Sequence, residues 1–276
     1  MTNKIELRFG AKPEHIQNAN DLIYLTSYCY FKDSSAVAEK ARMMFDNGQE
    51  LSAINEFLIK QKNAELAEKY KKQANLSKRF SKRTFANFVQ ESEMQKSAYK
   101  TAFEYAQNIE KHIENGTNII FIGKGSVGTG KTHLACAIAN DVLERGIPVK
   151  VLNIVSLVDE LKEFSPAYKK ELKSVKVLLI DDLGKENGTV WLCSEIYGII
   201  NARYENELPT IITTEGTLKD LEDNYKVEIN DKVVNKGVSM ISRLTESGVG
   251  VVMSGEDYRK KAGQNAIKRF GTKKDC

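Results

Sequence analysis

The chain has 276 residues, 41% hydrophobic and 28% charged, with a formal net charge of +4, a composition that fits one substantial α/β core with a smaller appendage. Its four cysteines, Cys29, Cys136, Cys193 and Cys276, stand singly, which excludes a Cys-x-x-Cys zinc site or a disulfide framework and predicts a reducing, cytoplasmic setting. No window approaches about 18 consecutive apolar residues and the first 30 lack a leader pattern, so neither a membrane span nor secretion is expected.

In chain order, residues 12–46 are expected to hold short helices, and residues 48–75 one helix with Leu51, Ile54 and Leu58 at spacings of three and four. A basic stretch follows, with Lys69, Lys71, Lys72, Lys78, Arg79, Lys82 and Arg83 over a polar linker at 68–84. The division expected is a helical region at 1–75, a basic linker and lead-in motif at 76–90, and an α/β domain at 91–276. That domain ends in a second basic run, Arg259, Lys260, Lys261, Lys268, Arg269, Lys273 and Lys274 against Asp275. Such clusters can neutralise nucleic-acid phosphates or simply be solvated.

From residue 118 onward apolar runs alternate with helix-length stretches, which predicts a largely parallel sheet covered by helices on both faces. The strands are placed at 118–124, 149–154, 175–182, 210–214 and 250–254, and the helices at 131–146, 156–164, 191–207 and 236–246. Directly after the first strand, Gly125, Ser126, Val127, Gly128, Thr129, Gly130, Lys131 and Thr132, followed by His133, fill the pattern G-x-x-x-x-G-K-[ST]. Glycines there let the backbone curl with its N–H groups converging on an anion at a helix N-terminus. Lys131 would reach the β- and γ-phosphates and the Thr132 hydroxyl a Mg2+ ion. ATP with Mg2+ is the expected ligand.

The run Val175 to Ile180 ends in Asp181-Asp182. A carboxylate closing a buried strand can hold the metal while its neighbour orients a water, so Asp181 is assigned to Mg2+ and Asp182 to water activation. Helix, strand and helix fit between Lys131 and Asp181, so this strand is third in sequence, and a fourth is expected to insert between the first and the third. Arg243, late in a helix, and Arg259, after the last strand, are candidate phosphate-directed arginines. Each reads equally well as a surface salt-bridge residue.

Taken together, Gly128-Thr129-Gly130-Lys131-Thr132-His133-Leu134-Ala135, Leu179-Ile180-Asp181-Asp182-Leu183-Gly184, Ile199-Ile200-Asn201-Ala202-Arg203-Tyr204 before Pro209-Thr210-Ile211-Ile212-Thr213-Thr214, and Ser242-Arg243-Leu244 with Gly255-Glu256-Asp257-Tyr258-Arg259 resemble the DnaC/DnaI-type bacterial helicase loaders of the AAA+ class. Arg79-Phe80 and Thr84-Phe85-Ala86-Asn87-Phe88 resemble that family's motif near the nucleotide base. The resemblance covers about residues 76–260 and is shared in large part by the IstB-type helper ATPases of transposition. It implies an AAA+ three-layer α/β/α domain with a five-stranded, mainly parallel sheet behind a small helical domain. It also implies weak, DNA-modulated ATP hydrolysis, binding to a DnaB-type replicative helicase through the helical region, single-stranded DNA binding, and self-association or ring assembly on the helicase. By the same likeness Lys131, Thr132 and Asp181 hold nucleotide and metal, Arg243 acts on a neighbour's site and Arg259 is a second sensor. Fewer than 20 residues follow Arg259, which implies a truncated lid.

One position departs from that pattern. Where the family has asparagine after the fourth strand, this chain has Glu215, and an ionised carboxylate cannot donate to a phosphate. DNA contacts are sought at Lys162, Phe164, Tyr168, Lys169, Lys170 and Lys173, which could stack on bases and neutralise phosphates; a surface helix with inward aromatics fits the same residues. A transposition helper and a P-loop kinase for a small metabolite are the competing functions.

Overall fold

The computed structural model describes residues 34–154, 165–185, 190–229, 232–258 and 260. By internal contacts the chain divides into two compact units, one comprising residues up to Lys72 with Leu143–Ile147, the other Gln73–Val142 with the remainder from Pro148. In the first, α1 (Ser34–Asp46) and α2 (Leu51–Gln73) bury Ala41, Ile54 and Leu58, with Val37, Met44, Phe45 and Phe57 against them. Residues 12–33 of the expected short helices lie outside the described residues.

The second unit opens with a 3-10 turn at Phe85–Asn87, then α3 (Glu93–Gln107) and α4 (Ile109–Glu114). Ser92 starts α3 with a capping box, its hydroxyl accepting from the Gln95 N–H. There follow β1 (Asn118–Ile122), α5 (Lys131–Glu144), β2 (Val149–Asn153), α6 (Pro166–Ser174), β3 (Val177–Asp181), α7 (Val190–Glu205) and β4 (Thr210–Thr214). After them come α8 (Leu218–Asn224), an antiparallel hairpin of β5 (Lys226–Ile229) and β6 (Lys232–Asn235), then α9 (Lys236–Glu246) and β7 (Gly248–Val252). The expected helix at 156–164 lies outside the described residues. The hairpin and α8 were not expected, and the last strand starts at Gly248 rather than at residue 250.

The five-stranded sheet has the order β2-β3-β4-β1-β7, with every neighbouring pair parallel. The fourth strand is thus inserted between the first and third, as the spacing implied. Sheets of this kind have both faces covered and carry continuous apolar strands; Ile119, Ile120, Phe121 and Ile122 of β1 are all buried, as are Val177 to Ile180 of β3. Helix α5 is apolar on nearly every side, with Leu134 through Ala139 and Val142 out of solvent. At the β2 rim the Val151 N–H donates to the Ala74 carbonyl (2.8 Å). No helix among the described residues is long and apolar enough to cross a membrane.

Arg203 on α7 is 1% exposed and meets no carboxylate in its hydrogen bonds. Its guanidinium donates to the carbonyls of Leu172 (3.0 Å), Val175 (2.8 Å) and Pro209 (2.6 Å) and to the Thr210 hydroxyl (3.1 Å). One side chain therefore ties the end of α6 and the start of β4 to α7. Burial pulls its pKa down to about 9, against the influence of Tyr105, so it stays charged at neutral pH. Replacing Arg203 with Met should strip the Leu172 and Val175 carbonyls and the Thr210 hydroxyl of this donor, while the Pro209 carbonyl keeps the Leu178 N–H, and cost about 3 kcal/mol or more in urea unfolding. Arg203→Lys should recover little of that, since an ammonium lacks the planar fork that reaches several acceptors together.

Candidate functional site

At the carboxyl ends of β2, β3 and β4, register does the positioning. Asn153 pairs with Asp181, and one step beyond the Ile180–Ile212 pair Thr213 flanks Asp181 on its other side. The Asn153 amide donates to Asp181 Oδ2 (3.0 Å) and the Thr213 hydroxyl to Oδ1 (2.7 Å). The Thr132 side chain, from the first turn of α5, hydrogen-bonds to the same carboxylate. The loop and the acidic strand end are therefore one site. Asp181 is 1% exposed; burial first, then the like charge of Asp182, push its pKa above the usual carboxylate range against these three hydrogen bonds.

The chain turns sharply after β3. Asp182 adopts φ 62°, a left-handed conformation that Asp tolerates better than most residues, and its N–H donates to the Thr213 hydroxyl (2.9 Å). Thr213 thus donates to one aspartate and accepts from the backbone of the next. The Asp182 carboxylate turns outward to Lys185 (3.1 Å), which also pairs with Glu215 (2.6 Å). Burial works against the Lys185 ammonium, yet the hydrogen bond to Glu215 and the charge of Asp182 carry its pKa above the ordinary lysine value.

Residues 123–130 curl between β1 and α5 with Lys124, Gly125, Gly128 and Gly130 at positive φ. A Cβ at Gly128 would collide with Asp257, and one at Gly130 would lie 2.7 Å from the Phe88 ring. Lys131 is 5% exposed and folds back over the loop, donating to the Ser126 carbonyl (2.7 Å). The Gly125 N–H donates to the Glu215 carbonyl (2.6 Å). The segment after β7 crosses the loop, with Met253 accepting from Thr129 (3.4 Å) and the Tyr258 N–H donating to Gly128 (3.2 Å). Arg259 itself lies outside the described residues.

His133 points to the lead-in motif: Nε2 lies 2.9 Å from both the Thr84 carbonyl and Asn87 Oδ1. A carbonyl only accepts, so Nε2 carries the proton, and burial lowers the pKa. Phe88 stacks on Tyr99 and meets the His133 ring edge-on. Asn140 holds the motif by donating to the Phe80 (3.0 Å) and Arg83 (2.8 Å) carbonyls.

Arg243 lies at the other end of the sheet. It lines a cavity of about 340 Å3 with Asn118 and Thr210, the first residues of β1 and β4, whereas the loop follows the last residue of β1. Its guanidinium carbon sits 5.6 Å from the ring centroids of Tyr197 and Tyr204, and Nη1 donates to the Ser239 carbonyl (2.9 Å). Roughly 15 Å of strand separates it from its own loop. Of the DNA candidates, Lys162 and Phe164 are outside the described residues. Tyr168 packs against the core beneath α6, with its hydroxyl accepting from Asn75 (2.8 Å). Lys169, Lys170 and Lys173 border an open groove, Lys169 being paired with Glu195 (2.7 Å).

Asn153, Thr213 and Lys185 were not singled out from the sequence. The available signal was positional: Asn153 and Thr213 are polar residues closing apolar strands whose order in the sheet had to be known. The loop suits a triphosphate, since a Cβ on Gly125 would meet open space and the buried Lys131 ammonium lies over the loop at the Ser126 carbonyl. Thr132 and Asp181 form an oxygen pair suited to Mg2+.

Residues 31–266 match the model of the IstB-like ATP binding protein family. The replicative helicase loader DnaC of Escherichia coli K12 is 26% identical over 157 residues, 54% of this chain and 62% of that protein. The replicative helicase loader DnaI of Bacillus subtilis 168 is 27% identical over 142 residues, 49% and 46% of the two chains. A crystal structure of the DnaC helicase loader superposes with a TM-score of 0.52 at 26% identity, covering 64% of this chain and 99% of that one. The chain spans about half the length of the curated relatives it matches.

Because Asp181 is buried and charged, its cost falls on the protein without metal. Asp181→Asn should abolish the rise in melting midpoint that Mg2+-ATP gives the unaltered protein, while its amide N–H2, facing the Asn153 or Thr213 donor, should keep the ligand-free midpoint from rising. Thermal scans with and without ligand check both.

Proposed function

Because this chain belongs to the IstB-like ATP binding protein family, we propose that it is an ATP-controlled loader of a hexameric DnaB-type replicative helicase onto single-stranded DNA, working in the cytoplasm. The observation that carries the reading is the Thr132–Asp181–Thr213 cluster beside the phosphate loop, joined to the likeness to two helicase loaders. ATP supplies a γ-phosphoryl group whose presence or loss is the signal. Lys131 and the backbone of residues 125–132 hold the phosphates, and Thr132 and Asp181 hold Mg2+. Asp182 is the group assigned to orient a water in this reading.

Arg243 serves a neighbouring copy in this reading, since it stands at the strand starts, away from its own loop. Arg259 completes the chain's own site by family likeness alone. The helical region, residues 1–75, grips the helicase, while Lys169, Lys170 and Lys173 are the candidates for DNA phosphates. The family match favours a second reading, a transposition helper of the IstB type. Binding to duplex DNA with stimulation of a transposase, and none to helicase, would select it.

The full chain should retain the hexameric helicase of its own host in a pull-down with ATP, and Lys131→Ala should lose the ATP dependence. Absence of any helicase binding by the full chain overturns the loader reading. The role of Arg243 is tested by mixing: Lys131→Ala and Arg243→Ala should each lose hydrolysis about 10³-fold or more, and the mixture should regain part of it. Without recovery, Arg243 does not act across copies.

A further inference from the structure

The outermost acidic group of the site is Glu215, where an uncharged donor would be the useful chemistry. Its backbone and side chain do different things. The carbonyl accepts from the Gly125 N–H at 2.6 Å, and a methyl built on Gly123 would lie 2.7 Å from both that carbonyl and Lys131 Nζ. Residue 215 therefore stands beside the phosphate-loop lysine, separated from it by the width of one methyl group. The side chain turns to Lys185, whose Nζ lies 2.6 Å from Glu215 Oε1 and 3.1 Å from Asp182 Oδ2.

Charge makes this arrangement consequential. Asp181, Asp182 and Glu215 bring three carboxylates to the strand ends, and a triphosphate terminus next to them would be repelled unless a cation stands between. Mg2+ on Thr132 and Asp181 would answer for one side of the site. On the other side Lys185 is the cation on Asp182 and Glu215. An ammonium has three donors; two are directed at these carboxylates, leaving one with no partner among the described residues. Glu215 cannot supply a proton to a phosphate oxygen, but it can hold a lysine that does.

Resting on the ATP-binding reading above, we infer that Lys185 is the residue that reads the terminal phosphate in this chain, with Glu215 as the positioning residue that tethers it. The Glu215–Lys185 pair takes the place of a single neutral donor at the end of β4. The same lysine contacts Asp182, so its position couples recognition of the terminal phosphate to the carboxylate assigned to the water.

Calorimetry on the full chain with Mg2+ separates the outcomes, using a non-hydrolysable ATP analogue and ADP as probes. Lys185→Ala should weaken analogue binding about tenfold or more, the scale of one charge-assisted hydrogen bond, and leave ADP affinity within about twofold. Glu215→Ala should give a smaller loss in the same direction. Adding Glu215→Asn to Lys185→Ala should restore part of the preference for the analogue by returning a neutral donor. Equal losses for both nucleotides, or no change in either, overturn the assignment of Lys185. If the unaltered chain binds neither probe, it is the ATP-binding reading that fails.

Discussion

The candidate site depends on one fact of topology, the insertion of β4 between β1 and β3. Because the strands are parallel and in register, their carboxyl ends form a row, and Asp181 is met on one side by Asn153 and on the other by Thr213. A buried carboxylate is costly unless hydrogen bonds answer it. Here two neighbouring strands and the first turn of α5 each supply one. A one-residue slip of β4 would turn Thr213 to the other face and undo the hydrogen bonds at Asp181 and at the Asp182 amide together.

Much of this was legible in the sequence. The loop pattern, the Asp181-Asp182 strand end and the spacing from Lys131 implied a fourth strand between the first and the third, as the sheet order has it, and Asp181 does meet Thr132. Helix α9 and strand β4 fall at the expected residues because a capping Asn235 and a compact β-branched run mark them locally. What escaped was nonlocal. No short window announces that Asn153 and Thr213 converge on one carboxylate, since that requires knowing which strands are neighbours. The β5–β6 hairpin was missed because its strands are only four residues long, too short for the Lys226-Val227-Glu228-Ile229 alternation to stand out from its charged surroundings.

Arg203 shows the opposite lesson. A lone arginine in an apolar helix suggests a surface or phosphate-binding residue, yet it is used to satisfy backbone carbonyls at the junction of α6, α7 and β4. Arginine suits that task because its charge survives burial and its fork reaches several acceptors. The residue quoted as part of a family-like run thus has a structural explanation independent of nucleotide. Arg243, by contrast, rests beside two tyrosines at the opposite rim, in a cavity that Glu205, Glu207 and Glu246 also line.

An open parallel sheet ends in strands whose unpaired N–H and C=O groups can template a foreign chain. At β2 the Val151 donor is already spent on Ala74, and the adjoining Lys150, paired with Glu171, brings charge to the same rim. The peptide leaving α2 thereby acts as a selvedge for the sheet. Cleavage close to Ala74 would take away the acceptor of the Val151 N–H and leave that donor of β2 open to another chain.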